Sequence, residues 1–203
     1  MSKNRKKYHH GDLREQLIEA VRHLIEAKGP EGFSIAEACR MAGVSTAAPY
    51  KHFRDREELM HAVILAAMHR MGAAMQAAAD AYPAGDPERI VALGRSYIDF
   101  ARAEPGIFTV MFGLASTHDE DPALAEEGRE KFAIVIRVVA EHMGRPMDDP
   151  EVNARGYALW CAVHGHCFLC LDGKADKTEI KIGDDDYLRL VGASYLPATP
   201  VSS

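Results

Sequence analysis

Thr46, Ala47, Ala48, Tyr50, Lys51 and His52 are the side chains of this 203-residue chain whose types and spacing best suit a chemical task, and that task is recognition of a nucleic acid. Thr and Ala are small enough to let a backbone approach base edges, and their methyls can touch a thymine methyl. Tyr50, Lys51 and His52 follow with donors suited to phosphate oxygens. The elements that must hold them are legible on either side. Ser34 can accept an amide bond as N-cap while Glu37 reaches back, a capping box that starts a helix over residues 35–41. Gly43 tolerates the left-handed backbone of a sharp turn, Val44 supplies an apolar plug, and Ser45 is placed to cap a second helix over residues 46–51. Pro49 removes one amide donor within the first turns, so that second helix should be short and distorted. Two helices joined this way form a helix-turn-helix, whose second helix enters the major groove while the first crosses the backbone.

The match extends to both sides of the motif. Tyr8-His9-His10-Gly11-Asp12-Leu13-Arg14 upstream and Tyr50-Lys51-His52-Phe53-Arg54-Asp55-Arg56-Glu57-Glu58-Leu59 downstream resemble the opening and closing segments of the TetR/AcrR family of bacterial transcriptional regulators. The resemblance implies DNA contacts from Tyr8, His9, Ser34, Ser45, Thr46, Ala47, Pro49, Tyr50, Lys51, His52 and Arg56. Farther along, Trp160-Cys161-Ala162-Val163-His164-Gly165 is similar to the Trp-His-Gly signature of one C-terminal subgroup, together with residues 108–112. It implies an Ω-shaped homodimer joined through the last two long helices and a ligand cavity in the C-terminal body. Tyr97, Phe100, Phe108, Met111, Phe112, Trp160, His164 and Phe168 supply the aromatic and sulfur-bearing surface with polar tips that such a pocket uses. Taken singly, each of them also suits an ordinary filled core.

Charge is segregated along the chain. Residues 1–56 carry 11 Lys and Arg against 7 Asp and Glu, whereas the rest carries 13 against 23, within a formal net charge of −6. The basic part is the one with the helix-turn-helix, as a polyanionic partner requires. The first residues, including Lys3 to Lys7, lack the apolar stretch of a signal peptide, and no run of about 18 apolar residues could span a bilayer. The expected location is cytoplasmic, with Cys39, Cys161, Cys167 and Cys170 as reduced thiols.

His164, His166, Cys161, Cys167 and Cys170 crowd one predicted helix, and imidazole with thiolate is a zinc-competent set. Their spacing matches no established metal motif and lacks paired Cys-x-x-Cys clusters from separate segments. We therefore expect neither metal nor cofactor. The chain also lacks a nucleophile elbow, a Gly-rich phosphate loop and a His-Glu-x-x-His motif, which argues against an enzyme.

Apolar periodicity and breakers predict an all-α chain. Helices are expected from Asp12 to Gly29-Pro30, from Asp55 to about Ala79, up to Glu104, around residues 107–112, over 122–143, over 150–171 and over 184–195. Residues 82–87 form a clear break, and period-two alternation is confined to residues 178–182. Residues 1–56 make the DNA-binding head, 57–196 a ligand-binding and dimerisation body, and 197–203 a disordered tail. The long helix after Phe53 links head to body, and its Met60, Met68, Met71 and Met75 read as core. Gly165 is expected to border the ligand cavity.

The reading is a sequence-specific, homodimeric transcriptional regulator, a repressor released from a palindromic operator by a mostly apolar small molecule, with no membrane partner. Two alternatives stay open. One is an effector-independent activator; the other is a metal-sensing or enzymatic helical body that keeps the head as an interaction module.

Overall fold

Side-chain caps set the starts of several helices in this protein. The computed structural model describes residues 10–29, 31–112 and 121–196, which form an all-α fold with N-terminal helices and a C-terminal helical bundle. Tyr8, His9, the Lys3 to Lys7 arm and the 197–203 tail lie outside the described residues. The helices are α1 (His10–Lys28), α2 (Ile35–Met41), α3 (Arg56–Asp80), α4 (Glu88–Ala103), α5 (Pro105–Phe112), α6 (Pro122–Met143), α7 (Pro150–Leu171) and α8 (Asp184–Tyr195).

α1 stops at Gly29, whose φ of +79° suits glycine and whose N–H bonds the Ile25 carbonyl at 2.8 Å. α6 and α7 share one starting device. Asp121 and Asp149 accept first-turn amide bonds as N-caps, and a proline follows at the first helical position, where its missing N–H costs nothing. α3 opens on Asp55, whose carboxylate accepts the Glu58 N–H at 2.8 Å while Glu58 accepts the Arg54 N–H at 2.7 Å. The alternating stretch near residue 180 is not a strand. A 3₁₀ turn over Asp176–Thr178 leads instead into irregular chain as far as Gly183.

The chain forms two compact units, residues 10–67 with 106–112 and residues 68–105 with 121–196 among those described. In the first, Leu17, Val21, Ile25, Leu59, Val63, Ile107 and Phe108 are almost wholly buried, each such aliphatic side chain contributing about 1.5–3 kcal/mol of hydrophobic stabilisation. α5, expected with the body, packs in this unit. Its first amides, on Gly106 and Ile107, donate to the Glu26 carboxylate of α1 at 3.0 and 2.8 Å. That carboxylate supplies the cap α5 needs, and neutralises orphan donors at a positive helix end.

The second unit is built on α4, α6, α7 and α8. Ile136, Val139 and Ala140 of α6 meet Val152 and Leu159 of α7 and Val191 of α8 in its core. Gly156 allows α6 and α7 to approach, because a Cβ there would lie 2.6 Å from Ile136 Cδ1. Buried Arg89 of α4 donates to Glu141 of α6 at 2.5 Å. Met68, Met71 and Met75 of α3 are buried, as expected of core methionines, as is Met60 in the first unit.

Candidate nucleic-acid interface and effector region

Ser34 has the extended backbone of an N-cap and accepts the Glu37 N–H at 3.2 Å. The reciprocal half of the expected capping box is replaced by an ion pair. Glu37 meets Lys28 Nζ at 2.5 Å, and that bond holds its carboxyl below the usual range. At the other end of α2, Gly43 N–H bonds the Arg40 carbonyl at 3.3 Å and Val44 N–H the Cys39 carbonyl at 2.9 Å. With Gly43 at φ +69°, this is a Schellman turn, which reverses the chain and satisfies two otherwise orphan carbonyls.

The segment after Val44 differs from a regular second helix. Residues 46–48 form a turn, and a 3₁₀ segment over Pro49–Lys51 completes it, with Ala48 rather than Ser45 at its N-cap. Ser45 contributes its carbonyl, which accepts the Ala48 N–H at 3.0 Å. Pro49 is the physical reason. It has no N–H to give to the Ser45 carbonyl, so the segment winds tightly and closes with His52 and Phe53 amides on the Pro49 carbonyl, at 2.8 and 2.9 Å.

The turn sorts the expected contact residues by exposure. Ser45, Thr46, Ala47, Tyr50, Lys51 and Arg56 are exposed, Tyr50 to 60%. Pro49 is fully buried, so it shapes the turn and presents no surface to a partner. Nε2 of His52 is also buried, which turns that donor away from solvent. Arg56 lies over the Phe33 ring at 4.3 Å and Arg14 over Phe53 at 5.4 Å, so two buried aromatics steady cations at the surface of this unit.

Two family models match the chain along its length. One, for bacterial regulatory proteins of the tetR family, matches residues 17–63, which contain α2 and the turn after it; the other, for the tetracyclin repressor-like C-terminal domain, matches residues 90–185. The chain belongs to the TetR family. Solved structures agree on the fold of this TetR-family regulator. A protein of unknown function from Rhodococcus sp. RHA1 is 25% identical, with a TM-score of 0.75 over 94% of this chain and 97% of that one. A tetR-family transcriptional regulator from Streptomyces coelicolor is 15% identical, with a TM-score of 0.68 over 90% of this chain and 80% of that one. The nucleoid occlusion factor SlmA of Vibrio vulnificus, in strains YJ016 and CMCP6, is 29% identical over 107 residues, 50% of this chain and 52% of the relative. The chain thus spans about half the length of the curated relatives it matches.

In the C-terminal unit of this TetR-family chain, four of the expected pocket residues meet. The Tyr97 hydroxyl lies 2.9 Å from His164 Nδ1, Trp160 Nε1 donates to the same hydroxyl at 3.4 Å, and Phe168 stands edge-on to His164 with ring centroids 5.0 Å apart. Indole can only donate, so the hydroxyl accepts from Trp160, while the direction of its bond with Nδ1 is set by the histidine tautomer. Burial pushes the Tyr97 phenol up and the His164 imidazole down, which keeps both neutral. Phe100 is buried on α4 in the same unit. Phe108 and Phe112 instead pair with each other on α5, at 5.0 Å between centroids, and with Met111 belong to the first unit.

Gly165 is exposed, and a Cβ there would meet nothing within 4 Å. The second unit does hold a cavity of about 380 Å³, lined by Ile90, Val91, Leu188 and Leu196, with Arg189 and Glu88 3.0 Å apart at its wall. Sequence reading missed it because its lining comes from α4, α6 and α8, far apart in the chain. Among the described residues no group of three or more His, Cys, Asp or Glu could hold a metal, and no helix is long and apolar enough to cross a membrane.

Proposed function

We propose that this TetR-family protein is a sequence-specific DNA-binding regulator that acts as a homodimer on a palindromic operator and is released from it by a small molecule. The observation that carries the reading is the Schellman turn at Gly43 followed at once by exposed Thr46, Ala47, Tyr50 and Lys51. Thr46 and Ala47 read bases; Tyr50, Lys51 and Arg56 hold phosphates, aided by Ser34, Ser45, Tyr8 and His9. One short turn reads only a few base pairs, so specificity needs two copies related by a two-fold axis.

The pairing surface is the face of α7 that carries Tyr157, Cys161, Gly165 and Leu169, all exposed and four residues apart, together with exposed Leu190 of α8. The subgroup resemblance of residues 160–165 supports a ligand-responsive body. Its effector is mostly apolar and engages Tyr97, Trp160, His164 and Phe168, with Phe100 behind them. A coupling of about 1–3 kcal/mol between effector and operator would loosen the complex some five- to hundredfold.

Incubating the purified protein with sheared DNA from its source genome and sequencing the retained fragments tests the reading. The expected result is a shared inverted repeat; retention without any common element would overturn it. Once an effector is in hand, His164→Leu should abolish the response while Gly192→Leu, which fills the 380 Å³ cavity, leaves it intact.

A further inference from the structure

The C-terminal turn of α7 gathers a set of reactive groups that DNA recognition and effector binding leave unused. Cys167 and Cys170 stand three residues apart. Cys170 is half-buried, with its Sγ 3.5 Å from Nε2 of His166. That nitrogen also lies 3.6 Å from the Asp184 carboxylate at the start of α8, which Arg102 of α4 holds through two guanidinium bonds. The imidazole is clamped flat on Tyr187, with ring centroids 4.3 Å apart. A thiol and a carboxylate thus meet at one imidazole nitrogen, with a guanidinium beyond the carboxylate, a polar setting in which that nitrogen can relay the thiol's proton.

We propose that Cys170 is an oxidant-reactive thiol for hydroperoxides and that Cys167 is its resolving partner. In the first step the Cys170 sulfur attacks one peroxide oxygen and the O–O bond breaks. The Cys170 proton passes by way of His166 Nε2 to the departing oxygen, which leaves as an alcohol or water, and the product is a sulfenic acid. In the second step the Cys167 sulfur attacks the Cys170 sulfur, the S–O bond breaks, and hydroxide leaves as water with the Cys167 proton. Two thiols lose two electrons and one hydroperoxide gains them, and an external dithiol reverses the bridge.

The position of the pair supports reversible chemistry over a permanent bond. Residues three apart on a helix hold their Cβ atoms about 5–6 Å apart, and a disulfide needs about 3.5–4.5 Å, so the turn must tighten. It can do so here because α7 ends one residue later and gives way at Asp172 and at Gly173, φ +62°. Cys167 is buried and its thiol is pushed up to about 12, which suits a group that waits protonated until a sulfenic acid forms beside it. Cys170 lies nine residues, half a rotation, from Cys161, so pairing through the Cys161 face leaves it open.

Treating the whole protein with one equivalent of cumene hydroperoxide, followed by intact and peptide mass spectrometry, tests the assignment. The expected product lacks two hydrogens within the peptide holding Cys167 and Cys170 and is restored by a dithiol. Cys167→Ser should stop at a Cys170 sulfenic acid that dimedone traps, Cys161→Ser should react like the parent, and His166→Gln should slow the first step by about tenfold or more. Oxidation confined to Cys161, a Cys170→Ser variant that still loses two hydrogens, or a His166→Gln rate equal to the parent's would overturn it.

Discussion

The Tyr97 hydroxyl and His164 Nδ1, 67 residues apart in sequence and 2.9 Å apart in space, tie α4 to α7 through a partly buried hydrogen bond. Burial lowers the His164 pKa, so the unfolded chain takes up a proton near the ordinary histidine value, about 6.5, before the folded one does. Stability from this group is therefore full above that value and is lost as the pH falls below it. Thermal melts from neutral to mildly acidic pH should show a downward slope that His164→Gln makes shallower.

Removing the hydroxyl should also be costly. Tyr97→Phe removes the hydrogen bond to Nδ1 in a partly buried site, and such a bond is worth about 0.5–1.5 kcal/mol. Chemical denaturation of the two proteins at neutral pH measures it.

Gly43 holds the turn by conformation alone, since a Cβ there would meet nothing within 4 Å while its φ is +69°. Gly43→Ala should lose about 1–2 kcal/mol, the cost of a left-handed L-residue. Calorimetry reads this directly, and DNA affinity should fall with it.

Much of this architecture is legible in the residues. Asp-Pro at 121–122 and 149–150, followed by Gly144 and Asp172-Gly173, mark α6 and α7 at their observed ends, because caps and breakers act locally. The turn after Gly43 is legible as a motif but not as a 3₁₀ segment, since only the folded chain shows Pro49 buried beneath it. Tyr97 and Trp160 stand out in the sequence as aromatics with polar tips, yet their convergence on one hydroxyl depends on helix packing. The 380 Å³ cavity joins distant residues with no local signal, and while the crowding of His166 and Cys170 on one helix is visible in the sequence, the approach of Asp184 to them is not.

Gly156 and Ile136 should behave as a coupled pair. Gly156→Val places a branched side chain where Cδ1 of Ile136 lies 2.6 Å from the Cβ position, an overpacking worth about 1–3 kcal/mol. Ile136→Ala is itself destabilising, but in the Gly156→Val background it should cost much less than alone. A double-mutant cycle by urea denaturation checks the sign.

The dimer proposal makes Tyr157 and Leu169, 58% and 50% exposed in the single chain, the residues to charge. Tyr157→Glu with Leu169→Glu should give a folded monomer by light scattering, with an unchanged far-ultraviolet dichroism spectrum. Retention of the dimer would place the interface on another surface.

The central claim, that the turn after Gly43 reads DNA, is tested most directly by salt titration of operator affinity for the parent, Lys51→Ala and Thr46→Val. Lys51 is exposed and serves better than Arg56, which also stacks on Phe33. The account predicts that Lys51→Ala weakens operator and unrelated DNA alike and flattens the log–log salt slope by about one unit per half-site, whereas Thr46→Val keeps the slope and changes the preferred bases. Parental slopes for Lys51→Ala together with an unchanged base preference for Thr46→Val would contradict it.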